Sequence, residues 1–371
     1  MAATLFASHY SGTVHTLTLD GSSLSISNTI EACGGMPSWL TYDAPGKTLY
    51  CSDETWIFGN GSISSIAVAD DGSLTETANA PTIGGDVANV LYGGDDGRSY
   101  IAIAHYQTST VSTFALPLSA DAPALQSFTY AMDEPGPNRY RQDAPHPHEV
   151  LLDPTGAFLL APDLGLDQIH MWAIDAATGN LTECAPVATE PGIGPRHGVF
   201  WTAGAAADAA TTLFVANELG NSVTAYDVAY AARGCPALAA RQTLSTFPGG
   251  GAAPSGAKVG EIRAAGAFLY ASNRADRSFD PDDSVATFAL SDAGAMAFVG
   301  LSSAHGSYPR TFAVNAAGDM LAIGDQTSSE VVVVARDAET GRLGDVVARV
   351  PVGEPGTPEA EDGLSAVVWA E

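Results

Sequence analysis

The chain has 371 residues, 42 of them acidic and 15 basic, giving a formal charge of −27 at pH 7. Such a surface is repelled by nucleic acid and by anionic membranes, and no apolar run reaches the roughly 18 residues of a membrane span. Apolar residues make up 46% and charged residues 15%, with 39 Gly and 22 Pro, which suits a sizeable core of short strands joined by turns and excludes long helices.

Three strand patterns open the chain: TLFASHY from Thr4, then TVHTLTLD and SLSISNTI. A unit of short apolar strand, tight turn, second strand and polar corner then recurs. It reads SWLTYDAPGKTLYCSDE at 38–54, VANVLYGGDDGRSYIAIAH at 87–105 and HEVLLDPTGAFLLAPDLG at 148–165. It returns as RHGVFWTAGAAADAATTLFVANE at 196–218, EIRAAGAFLYASNR at 261–274 and RTFAVNAAGDMLAIGDQ at 310–326. A third strand such as QIHMWAID, SVTAYDVA or VVVVARD follows each unit, then a polar turn and a weaker fourth strand. LSAVVWA at 364–370 ends the series.

These six units leave one strand at the end and three at the beginning, which together make a seventh. The predicted fold is therefore all-β: a closed seven-bladed β-propeller of four-stranded blades, its last blade completed by the N-terminal strands plus the C-terminal strand. It is a single domain spanning 1–371. A pair of β-sandwiches would leave both the repeat and the split unit unexplained.

In such a blade the start of the first strand and the end of the second lie on one face, near the central axis. The bland turns DPTG, APGK and NAAGD fall on the other face. His148, Arg196, Glu261 and Arg310 occupy start positions; Glu54, His105, Asp163, Glu218, Arg274 and Asp325 occupy end positions. Only 13 Arg and 2 Lys are present, yet Arg139, Arg141, Arg196, Arg274 and Arg310 all fall in segments on the mouth side. Beside His146, His148, His197 and His305 they suggest a pocket for an anionic or carbonyl-rich small molecule. Structural readings stand beside these: Arg196 or Arg274 in an inter-blade ion pair with Glu218, and Glu261 and Arg310 joining blades. The insert carrying Arg141 and His146 reads as a lid or a surface loop.

The four cysteines at 33, 51, 184 and 235 contain no CxxC pair, so neither a metal knuckle nor any other metal site is expected. Cys184 and Cys235 fall near the outer strands of successive units, where a disulfide is conceivable but free thiols are the simpler reading. The opening MAATLFASHY lacks the basic region of a signal peptide, which makes the cytoplasm the default location. A mature secreted chain with an added Met would look the same, and Asn60-Gly-Ser and Asn180-Leu-Thr would then be glycosylation acceptors.

The segments PHPHEVLLDPTGAFLLAPDLG, GPRHGVF, LFVANELGNSV, GEIRAAGAFLYASNR and YPRTFAV resemble the seven-bladed propeller lactonases. That family includes 6-phosphogluconolactonases of bacterial type and the fungal carboxy-cis,cis-muconate cyclases. The resemblance spans essentially the whole chain, and the insert MDEPGPNRYRQDAPHPHE at 132–149 is most similar to fungal members. It implies a metal-free enzyme that opens or closes a small lactone; a monomer without cofactor is expected. Its catalytic roles would fall on His148, Arg196, Glu218 and Arg274; from their mouth-side positions, His146, Arg141, His197, Glu261, Arg310 and His305 are the expected substrate-binding residues. Where the cyclases carry lysines after the second strand of the first full unit, this chain has Ser52-Asp53-Glu54-Thr55-Trp56. That lowers the cyclase alternative and favours hydrolysis of a sugar-acid or carboxylate-bearing lactone, with Arg stabilising the oxyanion and no Gly-x-Ser-x-Gly nucleophile present. A binding propeller without catalysis is the alternative of another class, disfavoured because Trp-Asp repeat signatures are absent.

Overall fold

A computed structural model describes residues 2–56, 61–121, 123–204, 211–232 and 234–371. Seven antiparallel sheets follow one another around a ring. Blade one spans 37–82, blade two 86–129, blade three 151–188, blade four 195–245, blade five 258–303 and blade six 309–351. Blade seven pairs the final strand Leu364–Trp369 with Ala3–His9, which continues into Thr13–Asp20 and Ser23–Glu31. The split unit read from the sequence is thus the closure of the ring. Among the described residues no helix is long and apolar enough to cross a membrane.

Burial explains the pattern in each unit. Second strands such as Phe268–Arg274 are buried on both faces, because neighbouring blades stack against each. Their middle residues therefore read as apolar runs rather than alternations, with polar residues at the mouth end. Fourth strands such as Ser23–Glu31 are mostly exposed and carry the weak, polar patterns. Between blades four and five, Phe214, Ala216, Val259, Ile262, Leu269 and Phe288 form one apolar layer. Leu5, Leu17, Ala322, Val331, Val333 and Trp369 form the layer that closes blade seven onto blade six.

One local device recurs where the site will lie. The first strand of most blades pairs regularly with the second except near its start, where the register shifts. The shifts fall at Pro37/Trp39, Asp86/Ala88, Pro195/His197, Val259/Ile262 and Pro309/Thr311. The residues passed over include Ser38, Arg196, Glu261 and Arg310. A bulge breaks strict alternation and re-aims the side chain it carries, so inward or outward placement there is not fixed by the period of two.

The cysteines correct the expectation of free thiols. Cys33 is bonded to Cys51, joining the exit of blade seven to blade one, and Cys184 is bonded to Cys235, joining the outer parts of blades three and four. Both bonds run between blades, a proximity that linear spacing does not announce. Asn180 is exposed in a turn of blade three, whereas Asn60 lies outside the described residues.

Removing residues 364–371 would strip the inner strand from blade seven and expose the edge of Ala3–His9. A chain ending at Gly363 is expected to be insoluble or to lose its cooperative melt, read by circular dichroism. A normal melt of that truncation would contradict closure by the C-terminal strand.

Candidate active site

A cleft of about 340 Å³ opens at the mouth where strand starts and ends converge. Its floor is set by Glu218, which directly follows the second strand of blade four, Thr211–Asn217, and is fully buried. Three guanidinium groups meet this carboxylate: Arg141 Nη1 at 2.5 Å, Arg274 Nη2 at 2.8 Å and Arg196 Nε at 3.1 Å. Neither carboxylate oxygen has an aligned donor, so the contacts are ion pairs rather than good hydrogen bonds. Burial would raise the Glu218 carboxyl, but Arg141, Arg274 and Arg196 outweigh it and hold the group well below the usual carboxylate range.

The three arginines arrive by different routes. Arg274 ends the second strand of blade five, donates to the Val259 carbonyl at 2.9 Å and lies over the Tyr308 ring at 5.2 Å. Arg141 comes from the long insert, which is pinned by buried Gln142 donating to the Leu164 carbonyl at 2.9 Å. The insert is therefore part of the site's wall, and Arg141 also donates to the Tyr106 hydroxyl at 3.2 Å. Arg196, expected to face the substrate, does not line the cleft. Its bulge position turns it behind Glu218, where Nη1 donates to the Gly260 carbonyl at 2.7 Å. Burial and the neighbouring Arg274 lower its guanidinium to about 9.

His148 lines the cleft, with Nδ1 3.2 Å from His197 Nε2. His197 Nδ1 in turn lies 3.2 Å from both carboxylate oxygens of Glu261. Burial raises Glu261, but Arg263 at 2.6 Å and His197 bring it down to about 2, so it is ionised and accepts only. His197 Nδ1 must then be the donor. Burial and Arg196 lower His197 to about 3, so its ring is neutral and Nε2 must accept. His148 therefore donates from Nδ1, and its Nε2 lone pair is left without a protein partner among the described residues. Burial, then Arg196, His197, Arg310 and Arg274, holds His148 well below its ordinary value, so it is neutral at neutral pH. The arrangement presents one unprotonated imidazole nitrogen above a cationic floor.

The other candidates divide. His146 lines the cleft, stacked on Tyr106 at 4.1 Å and held between the Tyr106 carbonyl and Asp143. Arg310 lines it too, 3.3 Å from both Ser38 Oγ and Glu54 Oε2 and over the Tyr10 ring. His197 and Glu261, expected to bind substrate, are buried and lie beyond the lining, His197 edge-on to Trp39. His305 is corrected outright: it sits in the connection out of blade five, where its carbonyl accepts from Arg349, and does not reach the cleft. Of the acidic pair after the blade-one strand only Glu54 faces the cleft; Asp53 turns back to accept from Met36 N, Thr55 N and the Thr55 hydroxyl.

Sequence reasoning missed Tyr106 and Tyr308, Arg263, and the wall formed by Glu359, Ala360 and Glu361. Arg263 sits at an alternate position of an inner strand, a placement that the bulge at Val259/Ile262 conceals. It faces a second cavity, the central channel, together with Glu149, whose carboxyl burial pushes up to about 8 against the pull of Arg263. Among the described residues no group of three or more His, Cys, Asp or Glu converges as a metal site would require.

Residues 2–360 match the family profile described as "Lactonase, 7-bladed beta-propeller". A protein of Arthroderma benhamiae named "Probable 6-phosphogluconolactonase" is 32% identical over 329 residues, covering 88% of this chain and 77% of that one. The 6-phosphogluconolactonase of Bacillus subtilis is 30% identical over 252 residues, covering 67% of this chain and 66% of that one. The solved periplasmic gluconolactonase of Pseudomonas aeruginosa shares 26% identity and a TM-score of 0.78 over 96% of this chain and 98% of that one.

Glu218→Gln keeps the shape but leaves buried Arg196 and Arg274, and partly exposed Arg141, against a neutral amide, a loss of about 3–5 kcal/mol. A clear drop in melting temperature at pH 7 is expected. Because the Glu218 carboxyl is depressed in the folded state, its contribution is present above the unfolded value of about 4.3 and lost as pH falls through the folded value. The gap between wild type and Glu218→Gln should therefore narrow progressively as the pH falls below about 4.3. An unchanged melt at pH 7 would contradict the charge-holding role.

Proposed function

We propose that this chain, which belongs to the seven-bladed β-propeller lactonase family, hydrolyses a lactone by general-base catalysis. In this mechanism His148 is the general base and the lactone carbonyl points at Arg274 and Arg141. His148 Nε2 takes a proton from water as the water oxygen adds to the carbonyl carbon. The oxyanion that forms faces guanidinium groups already fixed by Glu218, so little reorganisation is needed as charge develops. Collapse breaks the ring C–O bond, and the proton on His148 passes to the leaving alkoxide. The product is the open-chain hydroxy acid, which loses its acidic proton to solvent.

His197 and Glu261 act as positioning residues that keep the Nε2 lone pair of His148 turned to the cleft. Glu218 is not the base in this reading, because its carboxylate is committed to three arginines. The observation that carries the proposal is the Glu261–His197–His148 chain ending in an unprotonated nitrogen at the cleft. For location we favour the alternative of an oxidising compartment, since two cystines persist there and are reduced in the cytosol.

Removing a general base costs about 10²–10⁴-fold in turnover, so His148→Ala should lower kcat at least 10²-fold on an aldonolactone followed by pH-stat. Glu261→Gln should lower kcat with KM within a few-fold, because it frees the tautomer without touching substrate. For the wild type, kcat/KM should hold as pH falls to about 6.5, since the base is depressed below that ordinary histidine value. Full turnover by folded Glu261→Gln, or loss of activity already between pH 8 and 7, would contradict the assignment. In the unreduced, unfolded chain no thiol should react with a colorimetric disulfide reagent; four reactive thiols would remove the argument for location.

A further inference from the structure

The charge in the cleft is layered. At the floor three guanidinium groups, Arg141, Arg196 and Arg274, share the single carboxylate of Glu218, a surplus of two positive charges. At the rim the sign reverses. Asp143 enters from the insert on one side, while Glu359 and Glu361 enter from the segment that precedes the final strand. Arg310, the remaining arginine of the lining, is already 3.3 Å from Glu54.

The acidic wall is held in place. Glu359 accepts from the Tyr308 hydroxyl at 2.9 Å and is ion-paired with Lys258. Glu361 lies 3.4 Å from the Trp56 indole nitrogen. Gln326 donates to the carbonyls of Ala360 and Asp362 at 2.8 and 3.1 Å, tying the whole segment to blade six. The chain's only other lysine, Lys47, is paired with Asp70 away from the cleft. Among the described residues no lysine ammonium is therefore free to meet a phosphate at the rim. Tyr140, also in the lining, is 94% exposed and offers an apolar ring to a flat ligand.

We propose that the cleft selects an uncharged polyhydroxylated lactone, and that Asp143, Glu359 and Glu361 reject its phosphorylated or carboxylated counterparts. This deepens, and rests on, the lactonase reading of the same site. A carboxylate accepts hydrogen bonds and donates none, so a rim of carboxylates fits the hydroxyl groups of a polyol and opposes an anion. The floor meanwhile attracts the one negative charge that forms during reaction. Selection thus comes from repulsion at the far end of the substrate, not from a tighter grip on the lactone ring. It departs from the phosphorylated substrate in the names of the fungal and Bacillus relatives.

The test compares D-glucono-1,5-lactone with its 6-phosphate, using the full chain and reading kcat/KM for each. At low ionic strength the neutral lactone should be favoured by about tenfold or more, the scale of one close like-charge contact or two. The ratio should shrink in about 0.5 M salt, because the rim is exposed and screened. It should shrink several-fold in Asp143→Asn/Glu361→Gln. Preference for the phosphorylated lactone, or a ratio unmoved by both salt and the double substitution, would overturn the inference. Should neither lactone be hydrolysed, the lactonase reading fails separately, and calorimetry with gluconate and 6-phosphogluconate still decides the rim. Weaker binding of the phosphorylated acid, restored in the double variant, supports the inference; equal or tighter binding overturns it.

Discussion

The site depends on a buried carboxylate that neutralises only part of the charge around it. Glu218 is fully enclosed, and taking an isolated carboxylate out of water is costly unless cations accompany it. Here three do, from the insert and from two successive blades. One side chain therefore ties a loop to the ring and sets the rigidity of the floor. The imbalance matters as much as the pairing. Guanidinium groups held by a single carboxylate keep a net positive field, and that field adds to burial in keeping His148 unprotonated.

The two layers beneath the mouth divide the chemistry. Residues that touch the cleft present a lone pair, guanidinium donors and a polar rim. Residues one layer down, His197, Glu261 and Arg263, have no access to it but determine which nitrogen of His148 carries its proton. Arg263 also reaches the central channel beside Trp39, so the hub of the propeller is the far end of the same chain of contacts. A ring of blades suits this division, since each blade supplies one or two side chains at fixed height and the ring prevents them from separating.

The fold was legible because each blade repeats the same burial problem. Second strands packed on both faces give apolar runs that end in polar residues at the mouth, and here the termini share the blade that closes the ring. The mouth positions His148, Glu218, Arg274 and Arg310 were legible for the same reason, being strand starts and ends in a repeating register. What stayed hidden depends on departures from that register or on contacts between distant segments. The bulge at Pro195/His197 turns Arg196 behind the floor, against its apparent place in the alternation. Arg141 takes the place facing the cleft, but from an insert whose path no periodicity fixes. His305 sits close in sequence to Arg310 yet belongs to the outer connection. Cys33–Cys51 and Cys184–Cys235 cross between blades, a proximity that only the assembled ring creates. The acidic wall at Glu359 and Glu361 falls in a connection between strands, where composition gives sign but not direction.

The central claim is that burial and the arginine floor hold His148 as a neutral ring, protonated on Nδ1, with its other nitrogen open to the cleft. Nitrogen-15 NMR of histidine-labelled protein reads tautomer and charge directly, with His148→Gln and His197→Gln used to assign the two rings. The account predicts that at pH 7 both rings are neutral and carry their proton on Nδ1. An imidazolium at His148, or a proton on its Nε2, would contradict it.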